Sequence, residues 1–153
     1  MIDEHFRLHH VGVLVPDLNQ SADLYVRRFG YLVDSDVIED PLQTALVQFL
    51  KLPGADHWLE FVSPAGQTSM LSRALEQRRG GVHHVCYEVD DIKAAVARLR
   101  KISMTLLSDP KPGTAFGGRL IAWLTDRDHT LVELVEAGAG PLALGRRAQT
   151  GNE

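Results

Sequence analysis

The chain has 153 residues, of which 44% are hydrophobic and 24% charged, and its formal net charge is −4 at pH 7. These values predict a soluble globular unit with a substantial core and exclude a disordered or fibrous chain. The acidic balance gives no broad positive field for nucleic acid, and no apolar run approaches the ~20 residues of a membrane-spanning helix. We therefore expect neither nucleic acid nor a membrane as a partner.

The cysteine content predicts the compartment. Cys86 is the only cysteine, so the chain can form no internal disulfide, which favours a reducing cytoplasm. The polar residues at positions 1–10 do not resemble a signal peptide. We expect a cytoplasmic homodimer that acts on a small-molecule substrate, with residues 138–153 as one candidate contact between subunits.

The first half reads as a strand, a helix and two further strands. The first strand has one face with Val11, Val13 and Val15 and another with His10, Gly12 and Leu14. Asp17 is a good N-cap for a helix that runs to about Phe29, and Gly30 ends it. Strand-like runs follow at residues 44–50 and 56–62.

The second half repeats this order. Its first strand has Val85, Tyr87 and Val89 on one face and His84, Cys86 and Glu88 on the other. Asp90 or Asp91 then caps a helix, and strand-like runs follow at residues 119–124 and 130–135. Residues 68–79 predict a linking helix, with four apolar residues facing inward: Met70, Leu71, Ala74 and Leu75. The predicted organisation is a first module at 1–67, a link at 68–81, a second module at 82–137 and a flexible tail at 138–153.

Each half opens with His-His-Val and closes with one Glu among aliphatic residues. His84 follows His10 by 74 positions, and Glu133 follows Glu60 by 73. Two histidines and two glutamates at matched positions of a duplicated unit form the ligand set of a divalent metal such as cobalt, nickel, zinc or manganese. We predict one metal site between the halves.

Strand alternation selects these four residues from their neighbours. His10 and His84 lie opposite the aliphatic stripe of their strands, whereas His9 and His83 share it. A single His or Glu in a strand is more often structural, but two matching pairs favour a site. A buried unpaired carboxylate costs several kcal/mol, and a cation removes that penalty. Cys86 is interpreted as a small buried filler.

Several segments resemble one protein family. They are HHVGVLVPDL from His9, TSMLSRALEQRRGGVHHVCYEVDDIKAAVARL from Thr68 and LVEL from Leu131. Together they span most of residues 8–136 and resemble the vicinal oxygen chelate superfamily, in particular the methylmalonyl-CoA epimerases. The resemblance implies an α+β fold, with two βαβββ modules forming a cup-shaped mixed sheet and helices outside. It also implies that His10, Glu60, His84 and Glu133 are the metal ligands.

The resemblance implies a metal-dependent epimerase or isomerase that removes a proton beside a chelated carbonyl, with an acyl thioester as one candidate substrate. Glu133 is our candidate catalytic residue, with Glu60 as a possible counterpart. Gln48 stands where some relatives carry a Glu base, and Gln cannot abstract a proton, so we predict that it binds substrate. A further carboxylate could come from the loop at residues 39–41.

Three alternatives use the same cup. A glyoxalase I-like lyase acting on a 2-oxoaldehyde thiol adduct would need the same four ligands. A binding or drug-resistance protein would not need them, so their presence disfavours it. An extradiol dioxygenase would need two His and only one carboxylate around iron, and the second Glu argues against it.

Overall fold

A computed structural model describes residues 5–66 and 68–138. The first half contains β1 (Arg7–Leu14), α1 (Leu18–Phe29), β2 (Leu32–Val33), β3 (Ile38–Asp40), β4 (Ala45–Lys51) and β5 (Trp58–Pro64). After the linking helix α2 (Met70–Arg78), the second half contains β6 (Gly81–Val89), α3 (Ile92–Lys101), β7 (Thr105–Pro112), a 3-10 turn (Thr114–Phe116), β8 (Leu120–Thr125) and β9 (Leu131–Glu136). The predicted tail lies outside the described residues from position 139 onward.

All strands form one mixed sheet that is nearly symmetric about its centre. The strand order is β2-β4-β5-β1-β6-β9-β8-β7, and β3 also pairs with β4. The two halves meet where β1 runs antiparallel to β6. On either side of this junction, β1 pairs in parallel with β5 and β6 in parallel with β9. The prediction of two matched modules in one cup-shaped mixed sheet is confirmed.

Local sequence signals fix the helix ends. Asp17 accepts a hydrogen bond from the Gln20 backbone N–H at 2.9 Å, and Asp91 accepts one from the Ala94 N–H at 3.0 Å. Each carboxylate satisfies an N–H in the first turn that has no partner within the helix. Gly30 ends α1 in the left-handed conformation, with a φ of 78°.

The edge strands were harder to predict. β7 contains Pro110 and Pro112, which lack the N–H that a central strand needs but are tolerated at a sheet edge. β2 and β3 occupy the corresponding edge of the first half, 74 positions earlier, and the chain leaves the sheet between them. The inward placement of Met70 was wrong, because its side chain is 87% exposed and Leu71 is the buried residue of α2.

The sheet separates two kinds of packing. Outside the cup, α1 packs on Leu50 and Phe61, and α3 packs on Leu124 and Leu134. Inside, a shared cluster draws on both halves and on α2; among its members are Val47, Phe49, Val62, Leu71, Cys86, Phe116, Ile121 and Val135. In the described ranges, no helix is both long and apolar enough to cross a membrane.

Candidate metal centre

The four predicted ligands meet inside the cup. His10 and His84 come from the central strands β1 and β6, and Glu60 and Glu133 come from the flanking strands β5 and β9. The register pairs Gly12 with Glu60, so each half places its Glu beside its own His-bearing strand. His10 is fully buried, and the other three residues are between 2% and 5% exposed.

The donor atoms converge on one point. His10 Nε2 lies 3.0 Å from His84 Nε2, 3.5 Å from Glu60 Oε1 and 3.3 Å from Glu133 Oε1. His84 Nε2 lies 3.2 Å from Glu60 Oε1 and 3.7 Å from Glu133 Oε1. Donors bonded to one ion at about 2.1 Å stand about 3 Å or slightly more from their neighbours, so these separations fit a shared cation.

The hydrogen bonding of the buried polar atoms at the site also fits a cation. Glu133 Oε1 is buried and makes no aligned hydrogen bond among the described residues, although it lies 3.3 Å from His10 Nε2. A buried carboxylate oxygen without a partner is destabilising. A divalent ion between the four side chains would satisfy this oxygen and both Nε2 atoms at once.

The electrostatics of the cluster are those of a tightly coupled group. Burial would raise the pKa of Glu60, but His10 and His84 outweigh it and hold that pKa below its ordinary value. Burial would lower the pKa of His10, but Cys86, Glu60 and Glu133 together raise it above its ordinary value. The cluster therefore attracts positive charge, either a proton or a metal ion.

Strand alternation predicts that His9 and His83 lie on the helix side of the sheet, and this prediction was wrong. The β1–β6 register slips by one residue at His9 and again at His83, which indicates a β-bulge at each position. Both rings therefore turn into the cup: His9 lies against Phe49 and Phe116, and His83 lies near Trp123. The repeated His-His pair was the available signal, but alternation alone could not reveal a bulge.

Each of these outer histidines contacts the ligand that follows it. His9 Nδ1 lies 2.7 Å from His10 Nδ1, and His83 Nδ1 lies 2.8 Å from His84 Nδ1. Burial, with the neighbouring His10, lowers the pKa of His9 to about 3. Burial, with His84 and Arg78, lowers the pKa of His83 to about 4. Both outer rings are therefore neutral at pH 7.

Small residues make room for the ligand rings. A Cβ on Gly12 would overlap the imidazole of His84, so only glycine fits there. Cys86, 74 positions later, is paired with His10 in the sheet register and is fully buried. Burial raises the pKa of the Cys86 thiol, so it stays protonated, as expected of a packing residue.

Gln48 is not at the centre. It shares a face of β4 with Leu46 and Leu50, which pack on the helix side, whereas Val47 and Phe49 face the cup. Its Nε2 donates to the Ser35 carbonyl at 3.2 Å. In the described structure Gln48 therefore faces away from the cup, and its role in substrate binding stays a prediction.

In the loop at residues 39–41, the Asp40 carboxylate is engaged in local hydrogen bonds. Asp40 is 5% exposed and accepts hydrogen bonds from the backbone N–H groups of Leu42 and Gln43 and from the Gln43 side chain. These bonds hold the carboxylate in a local turn. Among the described carboxylates, Glu60 and Glu133 are the ones at the centre.

An aromatic wall covers one side of the centre. Phe116, on the 3-10 turn, stacks over His10 with a centroid distance of 6.0 Å and is 4% exposed. The corresponding residue of the first half, Leu42, is 58% exposed and provides no such cover. Beyond His9, a surface pocket of about 390 Å³ is lined by Arg7, Trp58 and Glu88, among others.

Comparisons with known proteins agree with this architecture. Residues 9–123 match the model of the Glyoxalase/Bleomycin resistance protein/Dioxygenase superfamily. The chain is 35% identical over 131 residues to an ethylmalonyl-CoA/methylmalonyl-CoA epimerase from Cereibacter sphaeroides, covering 84% of this chain and 96% of that protein. It is 38% identical to the mitochondrial methylmalonyl-CoA epimerase of Mus musculus, over 86% of this chain and 73% of that protein.

A solved structure shares both the fold and part of the sequence. Streptomyces coelicolor methylmalonyl-CoA epimerase, in complex with 2-nitronate-propionyl-CoA, superposes with a TM-score of 0.76 at 26% identity. The match covers 87% of this chain and 98% of that one. On this evidence, the chain belongs to the glyoxalase/bleomycin resistance/dioxygenase superfamily, which is the vicinal oxygen chelate superfamily, and its relatives there include methylmalonyl-CoA epimerases.

Proposed function

We propose that this protein is a metal-dependent epimerase. It inverts the configuration at the carbon between the two carbonyl groups of a 2-substituted malonyl thioester. The observation that carries the proposal is the convergence of His10, Glu60, His84 and Glu133. Each histidine Nε2 lies 3.0–3.7 Å from the other Nε2 and from one oxygen of each glutamate. The named activity of relatives at 35–38% identity supports the substrate class. The bound 2-nitronate-propionyl-CoA of the Streptomyces coelicolor protein supports a CoA thioester.

The proposed ligands fit a borderline divalent ion. Two imidazole nitrogens and two carboxylate oxygens suit cobalt, nickel, zinc or manganese, and four protein ligands leave two positions of an octahedron open. Two open positions match a substrate with two neighbouring oxygens. A divalent ion held there would stabilise the negative charge that develops on a substrate oxygen as the neighbouring carbon loses its proton.

The chain's own carboxylates then supply the proton transfer. Inversion needs a base on one face of the carbon and an acid on the other. Glu60 and Glu133 come from equivalent strands of the two halves and so approach the centre from opposite sides. Glu133 is the proposed base and Glu60 the proposed counterpart, because these two carboxylates lie at the centre beside both histidines.

The buried environment supports this chemistry. Phe49, Phe116 and Trp123 surround the ligand rings and keep bulk water from the centre. Exclusion of water strengthens charge interactions and protects the carbanion-like species from side reactions. The pocket beyond His9, of about 390 Å³, offers space for part of a long substrate.

The first experiment measures metal content. The purified protein should hold about one divalent ion per chain, and His84→Ala should lose most of it because one of four ligands is gone. His57→Ala is the matched control, since His57 is half-exposed and pairs with Asp56 at the surface. Full metal content in the His84 variant would disprove the site.

The second experiment measures proton exchange. Wild-type protein in deuterium oxide should incorporate deuterium at the 2-carbon of methylmalonyl-CoA. Glu133→Gln should keep some metal and lose exchange by about 100-fold, the contribution expected of a general base. Glu136→Gln, on the same strand, should exchange normally because its amide oxygen can still accept the Ile92 N–H. Normal exchange by metal-loaded Glu133→Gln, or turnover of a 2-oxoaldehyde thiol adduct instead, would favour the glyoxalase-like alternative.

A homodimer in the cytoplasm is part of the proposal. At the end of α1 and on edge strand β2, Val26, Phe29 and Leu32 are 37%, 59% and 59% exposed, which forms an apolar surface suited to a second copy. Sedimentation equilibrium should give twice the 16.9 kDa of one chain. Phe29→Glu should sediment as a monomer, and an unchanged dimer would exclude this surface.

A further inference from the structure

Each proposed ligand histidine follows a second histidine that occupies a β-bulge. The β1–β6 register omits His9 on one strand and His83 on the other, and these positions are 74 residues apart, like the ligands themselves. A bulge adds one residue to a strand and turns an extra side chain toward the same face. Both halves therefore place a second imidazole beside the proposed ligand.

The contacts between the paired rings are specific. They join Nδ1 to Nδ1, at 2.7 Å for His9 and His10 and at 2.8 Å for His83 and His84. Two ring nitrogens at this distance share one proton, so one of them donates and the other accepts. The proton's position decides the chemistry at the opposite nitrogen of each ring.

We propose that His9 and His83 are positioning residues, each accepting the Nδ1–H of the ligand histidine that follows it. The inference rests on the proposed metal site. With its proton on Nδ1, the ring of His10 or His84 presents a free lone pair at Nε2, toward the other donors. The opposite arrangement would put a proton on Nε2 and prevent coordination.

The surroundings hold the outer rings in place for this role. The His9 ring stacks on Trp58 with a centroid distance of 4.9 Å and meets Phe116 edge to face at 5.4 Å. The His83 ring lies 6.5 Å from Trp123, which itself contacts His84 at 4.9 Å. His9 is thus packed between two aromatic rings, whereas His83 has one more distant aromatic neighbour, and the Nδ1 of each ring faces its ligand.

The two positions differ in one respect. Once Nδ1 accepts, the remaining proton of the outer ring is on Nε2. His9 Nε2 is buried and has no hydrogen-bond partner among the described residues, whereas His83 is only half-buried and can reach water. The required tautomer is therefore less favourable at His9 than at His83. A substitution at His83 is also easier to interpret, because neither ring nitrogen of His83 is buried without a partner in the described structure.

Matched variants test whether zinc binding depends on the hydrogen bond accepted at Nδ1, rather than on the presence of an imidazole ring. An Asn side chain places its amide near the position of Nδ1, and a Gln side chain places it near Nε2. His83→Asn and His9→Asn should keep zinc affinity within about threefold, whereas His83→Gln and His9→Gln should weaken it by about 10–100-fold. Affinity is measured by competition with a chromophoric chelator, and thermal unfolding of the metal-free variants checks that each is folded. The half-buried His83 pair keeps the test valid if a His9 variant fails to fold.

A nuclear magnetic resonance experiment reads the tautomers directly. In zinc-loaded, ¹⁵N-histidine-labelled protein, long-range proton–nitrogen spectra should show Nδ1–H tautomers for His10 and His84 and Nε2–H tautomers for His9 and His83. The reverse assignment for either pair would overturn the proposal. Equal zinc affinity for the Asn and Gln variants would also overturn it.

The outcomes separate this inference from the function on which it rests. If wild-type protein binds no zinc, or His10→Ala binds it as tightly as wild type, the proposed metal site fails. If wild type binds zinc and His10→Ala does not, while His83→Gln and His9→Gln bind normally, only the positioning role fails.

Discussion

Gly12 and Cys86 are the residues that let two imidazole rings meet at the middle of the sheet. Each lies two positions after a ligand histidine on its own strand and opposite the ligand of the other strand. Gly12 leaves no room for a side chain beneath His84, whereas Cys86 tolerates a thiol beneath His10. The two halves therefore solve the same packing problem with different residues.

Gly12→Ala should displace His84 and weaken zinc binding by about tenfold or more, the effect of 1–3 kcal/mol of overpacking. Isothermal titration with zinc measures the change. Cys86→Ala, which only shortens the equivalent side chain, should bind zinc normally. If Gly12→Ala also binds normally, the close packing of His84 does not limit the site.

Gln48 gives a second test at this scale, because it faces away from the cup. Gln48→Met keeps the volume and removes the hydrogen bond to the Ser35 carbonyl. We expect about 1 kcal/mol lower unfolding free energy, from urea titration, and a proton exchange rate within about threefold of wild type. A loss of exchange like that of Glu133→Gln would return Gln48 to the substrate site.

Sequence reasoning at the residue scale succeeded where a side chain's face follows from simple alternation. It placed His10, Glu60, His84 and Glu133 inside the cup, where both carboxylates lie within 3.7 Å of the two histidine Nε2 atoms. It failed for His9 and His83, because a bulge depends on how two strands pair. For Gln48 the structure shows a side chain on the helix side of β4, so its predicted substrate contact stays a prediction.

At the scale of elements, the 3-10 turn at Thr114–Phe116 distinguishes the halves. It presses Phe116 onto His10, whereas the corresponding turn of the first half leaves Leu42 in solvent. The turn is followed by Gly117 and Gly118, with φ values of 62° and 85°, a conformation that favours glycine. The segment that covers the candidate metal centre is thus a single short turn.

Phe116→Ala should expose the centre and release metal faster. We expect the rate of zinc transfer to excess chelator to rise by about tenfold, since local opening limits escape from a buried site. Stopped-flow absorbance measures this rate. Leu42→Ala is the matched control and should leave the rate unchanged. Equal rates for wild type and Phe116→Ala would mean that zinc leaves by another path.

Elements with strong local signals were predictable, and those defined by the sheet edge were not. The caps at Asp17 and Asp91 fixed two helices, and the four inner strand runs lie within about two residues of the predicted ones. β7 was not located, because its two prolines argue against a strand unless the strand is known to lie at an edge. The short strands β2 and β3 lack a period long enough to detect.

At the scale of the whole molecule, the proposed ion would link the two halves, because it would bind residues of both. Two ligands come from each half, and the halves also meet at the β1–β6 pairing, in the inner cluster and where β3 contacts the 3-10 turn. A ligand that binds only the folded state stabilises it by mass action. Metal occupancy and global stability should therefore be linked.

Removing the metal should lower the thermal midpoint of unfolding. At a free zinc concentration 100 times the dissociation constant, the stabilisation is about 2.7 kcal/mol, which corresponds to about 5–10 °C for a chain of this size. Calorimetry with and without zinc measures the shift, and His84→Ala should show none. A zinc-dependent shift in His84→Ala would place the stabilising ion elsewhere.

The near-symmetry of the sheet also bears on how such a site can change over generations. If two identical half-length chains formed this cup, every substitution would appear twice, and both sides of the ion would stay alike. Joining the halves through α2 removes that constraint, because each codon then affects one side only. Phe116 and Leu42 illustrate the result: Phe116 is buried and stacks over His10, whereas the matching Leu42 is exposed to solvent.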